Sequence, residues 1–503
     1  MAIAEQLIAI LDGFEPAAVR EFIQRRGKSK RDLQLFNAII QNPGAPPNEL
    51  MMLLYGKPNR GAYKATQARL TEKLRDYLVH LGGGTLGYGE LYLDLAAAEQ
   101  LIKRRAWSCA IHFLNRAEEQ AIHYRHYNLL EMIYSTELRE VTNLGLDLTA
   151  LEAKWKANRS RLDSIIRLNA VAARVRLRHE EARAHGKVLD SNAMLKEILD
   201  EVRPDLSEAD DPMYNERMVS LIRDLATSTK EYPGFERVVS GCYHRLKKRN
   251  AFQAGDADLE HSFLYMLGHA QYRNARFDEA MTTIGEARAL RERMTVVPKQ
   301  VTRKFAAIEA SILYLTGKVH EAIPLLEKFL TQGSAHEQDK ELLNMQLNLA
   351  ACLYSAREYK RAVKVLVTLP YDKATLTKWM GVEWRFKLDM FELISYYDRN
   401  LMDEAETQLQ RMLTYYKEFF RAENYARVEV YLGFIKRMIK DPLVVTTEAF
   451  RQDVKEARLN LSNHQEDMQA IAFYCWITSK MFGRDYYEVL LNAIGWKREG
   501  KVE

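Results

Sequence analysis

Cysteine is scarce in this 503-residue chain: four residues, at 109, 242, 352 and 475, each more than a hundred positions from the next. That scatter excludes a CxxC-type metal site and a disulfide framework, and predicts reduced thiols buried as small apolar groups. Proline is sparse as well, and none of the 12 falls between Pro58 and Pro204, so helices in that stretch run without their most reliable breaker. No apolar run approaches the roughly 18 residues a membrane span requires. The start carries Glu5 and no basic run ahead of its apolar residues, unlike a secretory signal. A cytoplasmic protein with no membrane partner is the expectation. Catalytic patterns are missing too: there is no HExxH, no Gly-x-Ser-x-Gly, no carboxylate pair at a turn and no Cys with an evident His partner. His112, His123 and His126 lie 11 and 3 residues apart but lack a fourth ligand, and read as histidines shared between surface and packing. The expectation is no enzyme, no cofactor and no metal.

What is present is a fold pattern. Apolar residues make up 47% and charged residues 28%, the balance of a folded soluble chain. One phrase returns four times, Tyr272 with Ala280, Tyr314 with Ala322, Tyr354 with Ala362 and Tyr397 with Ala405, always eight residues from Tyr to Ala. An apolar residue stands three before each alanine (Phe277, Val319, Tyr359, Met402) and another four after (Ile284, Leu326, Leu366, Leu409), the spacing of one helical face. The alanines are 42, 40 and 43 residues apart. Self-similarity at this period predicts stacked helical hairpins, since one hairpin cannot bury its apolar face alone. A degenerate copy stands at Trp107 to Ala110, with Leu114 four residues on.

Residues 272–287 and 397–412 resemble the tetratricopeptide repeat family, with Gly268, Ala280 and Ala287 as the small residues of the clearest copy. Ala310, Ala322 and Phe329 follow, then Ala350, Ala362 and Leu369; the fourth copy has Leu393 where a small residue is expected. The period exceeds that family's, which is about 34, and Tyr to Ala is one residue short, so the likeness is to divergent, long-helix versions. The resemblance implies an all-α fold, a right-handed superhelix or α-solenoid of hairpins, in which Ala280, Ala322, Ala362 and Ala405 serve repeat packing. It further implies a concave face that binds a peptide or another protein, and Tyr272, Tyr314, Tyr354 and Tyr397, on the first helices of their hairpins, as candidate partner-groove residues.

The expected organisation is a tri-helical head over 1–81, a glycine-rich linker over 82–93 and a repeat array over 94–503. The array is clearest over 258–417, with an aromatic C-terminal cap over about 443–503 that includes Phe473, Tyr474, Trp476, Phe482, Tyr486 and Tyr487. In the head, Leu33 to Ile40, Pro47 to Tyr55 and Asn59 to Leu81 read as helices, the third turning Tyr63, Leu70, Leu74 and Leu78 inward. Five glycines within 82–89 are expected to break the chain there. Without a Gly-Lys-Ser/Thr ending they form no phosphate loop. Residues 31–81 resemble, more faintly, the winged-helix heads of bacterial transcription regulators, with Asn48 to Tyr55 and Ala62 to Leu78 as the helix pair and no evident wing. That resemblance implies a DNA-binding regulator, with Arg60, Lys64 and Lys73 as candidate nucleic-acid contacts.

Net charge is +5 and is lopsided: residues 154–187 hold ten Lys or Arg against Asp163, Glu180 and Glu181. They belong to a helix expected from about Leu148 to His185, whose packing side is Leu151, Trp155, Leu162, Ile165, Ile166, Ala172 and Val175. Its charges either attract a polyanion or are matched by acids of neighbouring repeats such as Glu201 to Asp211. The expected function is a non-enzymatic scaffold that holds another protein or peptide. The alternative is a DNA-binding transcriptional regulator with a sensory or dimerising array, nucleic acid entering through residues 31–81 or 154–187. A homo-oligomer is left open.

Overall fold

The computed structural model describes residues 16–25, 30–42, 45–85, 88–185, 194, 198, 210–229, 231–292, 294, 299–331, 340–369, 371–420, 426–459 and 468–498. Among the described residues all regular structure is helical and there is no strand. The acids expected to act at 201–209 lie outside them.

The head contains α1 (Pro16–Arg25), α2 (Lys30–Gln41), α3 (Pro47–Tyr55) and α4 (Arg60–Thr85). The first was not anticipated; Val19 and Ile23 bring it into the core of Leu35, Phe36, Ile39, Leu50, Met51, Tyr63, Leu70 and Leu74. Proline at its start and Gly56 in the left-handed conformation bound α3. The Asn59 Oδ1 accepts the Ala62 N–H at 3.1 Å and starts α4. Gly82 to Gly84 do not break the helix at Leu81: α4 runs to Thr85 and α5 (Tyr88–Lys103) follows at once. Packing of α4 on α1, α2 and α5 overrides the weak intrinsic preference of glycine.

Next come α6 (Trp107–His123), α7 (Tyr127–Arg139), α8 (Val141–Leu144), α9 (Leu148–His185), α10 (Pro212–Thr229) and α11 (Tyr232–Lys248). The four repeat copies are α12 (Ala257–Arg273) with α13 (Phe277–Arg291), α14 (Lys299–Leu315) with α15 (Val319–Thr331), α16 (Lys340–Ser355) with α17 (Tyr359–Val367), and, after α18 (Lys373–Met380), α19 (Val382–Asp398) with α20 (Met402–Tyr415). The chain closes with α21 (Lys417–Phe420), α22 (Ala426–Lys440), α23 (Glu448–Leu459), α24 (Met468–Phe482) and α25 (Tyr486–Arg498). Successive helices pack in adjacent pairs, and first helices touch first helices along α12, α14, α16 and α19.

The eight-residue Tyr-to-Ala spacing has a backbone cause. In each copy the Tyr carbonyl accepts the N–H three residues on, from Ala275, Gly317, Arg357 or Asn400, all in the left-handed region. The next N–H, of Arg276, Lys318, Glu358 or Leu401, reaches back to the carbonyl just before the Tyr, at 2.8 to 3.0 Å. This paired closure ends one helix and fixes the start of the next at Phe277, Val319, Tyr359 or Met402. The alanine then falls at the first turn's inward position and is at most 1% exposed in all four copies. Arg105, Arg125 and Asn250 carry the same left-handed turn ahead of α6, α7 and α12, so the device extends beyond the four legible copies.

Only Gly317 among the four meets the turn without a side-chain penalty. Ala275→Gly should therefore raise stability by about 0.5–1 kcal/mol. Gly317→Ala, whose Cβ would meet only ordinary contact with Leu491, should lower it by about 1 kcal/mol. Urea unfolding midpoints check both, and the idea fails if the two shifts share a sign.

Candidate partner-binding surfaces

Three of the four tyrosines in the row are already covered. The last helix pair, α24 and α25, lies on them. The rings of Tyr314 and Tyr487 stack at 5.4 Å, Tyr354 meets Tyr486 edge-on at 5.4 Å, and Tyr397 meets Trp476 edge-on at 5.4 Å. The Tyr487 hydroxyl donates to the Tyr314 carbonyl. Asp398, next to Tyr397, accepts from the Tyr354 hydroxyl, from the Trp476 indole at 3.0 Å and from the Lys480 ammonium. Arg357 grips Asp485 through two nitrogens at 2.9 and 2.6 Å. Trp476, Ile477, Leu490 and Ile494 are buried in the repeat cores. Tyr272 is tilted against Phe277 of its own hairpin at 6.4 Å. Three of the four tyrosines expected to line a partner groove are thus covered by aromatic residues of the chain's own last helix pair.

The basic helix was legible in extent, Leu148–His185, but not in the way it packs. Its buried residues shift around the axis as its neighbour changes. Asn158 donates to the Tyr127 carbonyl and Glu131 of α7, whereas Arg176 pairs with Asp224 at 3.1 Å, and Arg217 donates to Asn169 at 2.6 Å, both from α10. Carboxylates neutralise much of the positive charge: Glu118 takes Lys154, Glu131 and Asp163 take Arg159, and Glu152 takes Lys156. The shift of packing face turns Ile166 outward, 53% exposed, although the sequence pattern had put it inside. Leu177 is 61% exposed, and Ala170 and Ala173 between them are exposed as well.

In the head, Arg60 and Lys64 are exposed on the first turns of α4. Lys73 is not available as a nucleic-acid contact: its ammonium lies 3.0 Å from Asp32, a carboxylate with no exposed surface, which Arg69 also meets at 3.1 Å. A buried carboxylate requires such cations, which explains why Lys73 turns inward. The outward residues of α3 include Met52 and Leu53, and this helix carries no basic side chain.

No group of His, Cys, Asp or Glu among the described residues is arranged to hold a metal ion, and no described helix is long and apolar enough to cross a membrane. Of the cysteines, 242, 352 and 475 are buried while Cys109 is exposed. His112 and His123 are exposed, and His126 is half-buried. Asp389, a buried acid of α19, accepts from Arg385, from Gln408 at 3.2 Å and from the Tyr416 hydroxyl at 2.6 Å, with the Lys373 ammonium 3.6 Å away. No protein-family model matches the chain, and no curated protein is significantly similar to it.

Two predictions follow from the buried polar groups. Asp398→Ala strands three donors in the core and should cost about 2–4 kcal/mol in urea unfolding, with Asp398→Asn losing less; a change within error would deny Asp398 its fastening role. Burial also holds three histidines neutral, pushing His126 and His261 down to about 4 and His269 to about 3. Unfolded histidine binds a proton near pH 6.5, so this stability is whole above that pH and is lost as pH falls toward 4. Glu137 acts oppositely: burial beside Glu118 pushes it up to about 7, and its share is lost as pH rises from about 4.5 through 7. In a Glu137→Gln background the melting temperature should drop between pH 6.5 and 4.5, and adding His261→Gln and His269→Gln should flatten the drop. An unaltered pH slope refutes the assignment.

Proposed function

We propose that the chain is a non-enzymatic protein-interaction scaffold, an array of tetratricopeptide-like hairpins wound as a right-handed superhelix that offers a helix face to another protein. Tyr314, Tyr354 and Tyr397 are committed to α24 and α25, so the partner is received elsewhere. The observation that carries this reading is the line Ile166, Ala170, Ala173, Leu177 on the 38-residue α9, exposed along its length. A helix in a finished fold normally turns its apolar line to the core, and an uncovered one marks an interaction site.

The rival is a DNA-binding head. It draws on Arg60 and Lys64 at the positive end of α4, and it is weakened by Lys73 facing inward and by α3, whose outward face is partly apolar and carries no basic side chain.

Full-length chain and an Ile166→Glu, Leu177→Glu double variant, matched in melting temperature, serve as baits in native cell extract. The scaffold reading expects a stoichiometric partner on the wild type that the variant loses; identical recovery from both sinks it. Tight duplex binding that weakens steeply with salt and vanishes in Arg60→Glu, Lys64→Glu would install the rival instead.

A further inference from the structure

We infer that the exposed line on α9 receives one amphipathic α-helix of an acidic partner, about three turns long, with carboxylates flanking its apolar stripe. This rests on the scaffold reading and adds the partner's chemistry.

The steps between Ile166, Ala170, Ala173 and Leu177 are four, three and four residues, the alternation of a coiled-coil seam. Such a line stays on one side of a helix over its whole length of about 16 Å. A loop or strand would not match that repeat, but a second helix does. The two alanines at the middle let a facing axis come close, while Ile166 and Leu177 at the ends supply the larger knobs.

The seam's borders select the partner's charge. Arg167 and Arg174 follow the line on one edge, and Asn169 and Arg176 on the other. Arg167 bonds Ser164 at 3.1 Å and has no carboxylate partner among the described residues. On the α10 side Arg217 reaches Asn169, and Asp224 is shared between Arg176 and Arg223 at 3.1 and 3.2 Å. Cations therefore outnumber carboxylates along the stretch, and Glu180, which pairs with Lys340 of α16 at 3.9 Å, lies beyond its end. A second copy laid on this seam would set arginine against arginine. Glutamates or aspartates at the flanking heptad positions of another chain complement both edges. A polyanion without an apolar stripe would leave Ile166 and Leu177 in water.

The test uses full-length chain and a labelled three-heptad peptide with leucine at the core positions and glutamate at both flanking positions, whose like charges keep it from pairing with itself. A twin carries lysine in place of each flanking glutamate. Fluorescence anisotropy should show the acidic peptide binding at least tenfold tighter than its twin, weakening between low and high salt. Ile166→Glu with Leu177→Glu should abolish binding, and Arg167→Glu with Arg174→Glu should reverse the preference toward the lysine twin. Equal affinity for both peptides, acidic-peptide binding that survives the seam variant, or no binding at all overturns the inference. So does a dimer of the chain in sedimentation that the seam variant dissolves. If extract partners are lost with the seam variant while the acidic peptide does not bind, the partner's chemistry is wrong and the scaffold stands; if extract recovery is also unchanged, both fall.

Discussion

A single enclosed carboxylate fastens the last two repeat copies to the terminal helix pair. Asp398 closes α19 and takes one donor from Tyr354, 44 residues earlier, and another from Trp476, 78 residues later, with the Lys480 ammonium supplying the opposite charge. An enclosed charge tolerates few arrangements, because each lone pair left without a donor is costly, whereas apolar contacts slide with little penalty. The Asp398 set therefore fixes where α24 sits along the array, and the neighbouring ring contacts of Tyr314, Tyr354 and Tyr397 follow from that register. Burial and the adjacent Asp398 hold the Tyr354 hydroxyl well above the usual tyrosine range, so it acts as a donor at all ordinary pH.

This explains why tyrosine recurs at one position of the phrase. Its backbone carbonyl closes the left-handed turn, and in the last three copies its ring, at the end of the first helix, reaches the surface on which the terminal pair lies. Phenylalanine would serve the first task and part of the second, but without a hydroxyl it would leave Asp398 or, at Tyr314, the Ser355 hydroxyl 2.9 Å away with one partner fewer. A row of aromatic residues on the first helices of such hairpins resembles a docking groove when seen only as spacing. In three dimensions Tyr314, Tyr354 and Tyr397 form an internal seam with the terminal pair.

Sequence pattern revealed those features set by local chemistry. The buried alanines, the helix starts and the ends of α9 all follow from spacing within ten residues or so, and they stand where the pattern put them. What escaped was governed by contacts distant in the chain. The left-handed turns hide behind Ala275 and Arg357, since the closure forces the conformation on residues that rarely choose it, whereas Asn400 tolerates it. Lys73 falls outside the apolar stripe of α4 and so read as solvent-facing, but Asp32 on α2 draws it inward. The glycine run kept its helix because neighbouring helices hold α4 on several sides.

Counting charges along the chain misleads for a related reason. The basic segment looked like a polyanion face because its matching acids, Glu118, Glu131 and Asp224, sit on three other helices, invisible to a local sum. What survives neutralisation is narrower and more specific. A helix longer than any hairpin partner must exchange one neighbour for another partway along, and in doing so it rotates the face it buries. α9 passes from α7 to α10 in this way and also packs against α19, so the residues around Ile166 are left by one neighbour without being taken up by the next. The exposed line and its arginine borders are consequences of that handover, which makes helix length the physical origin of this accessible apolar line.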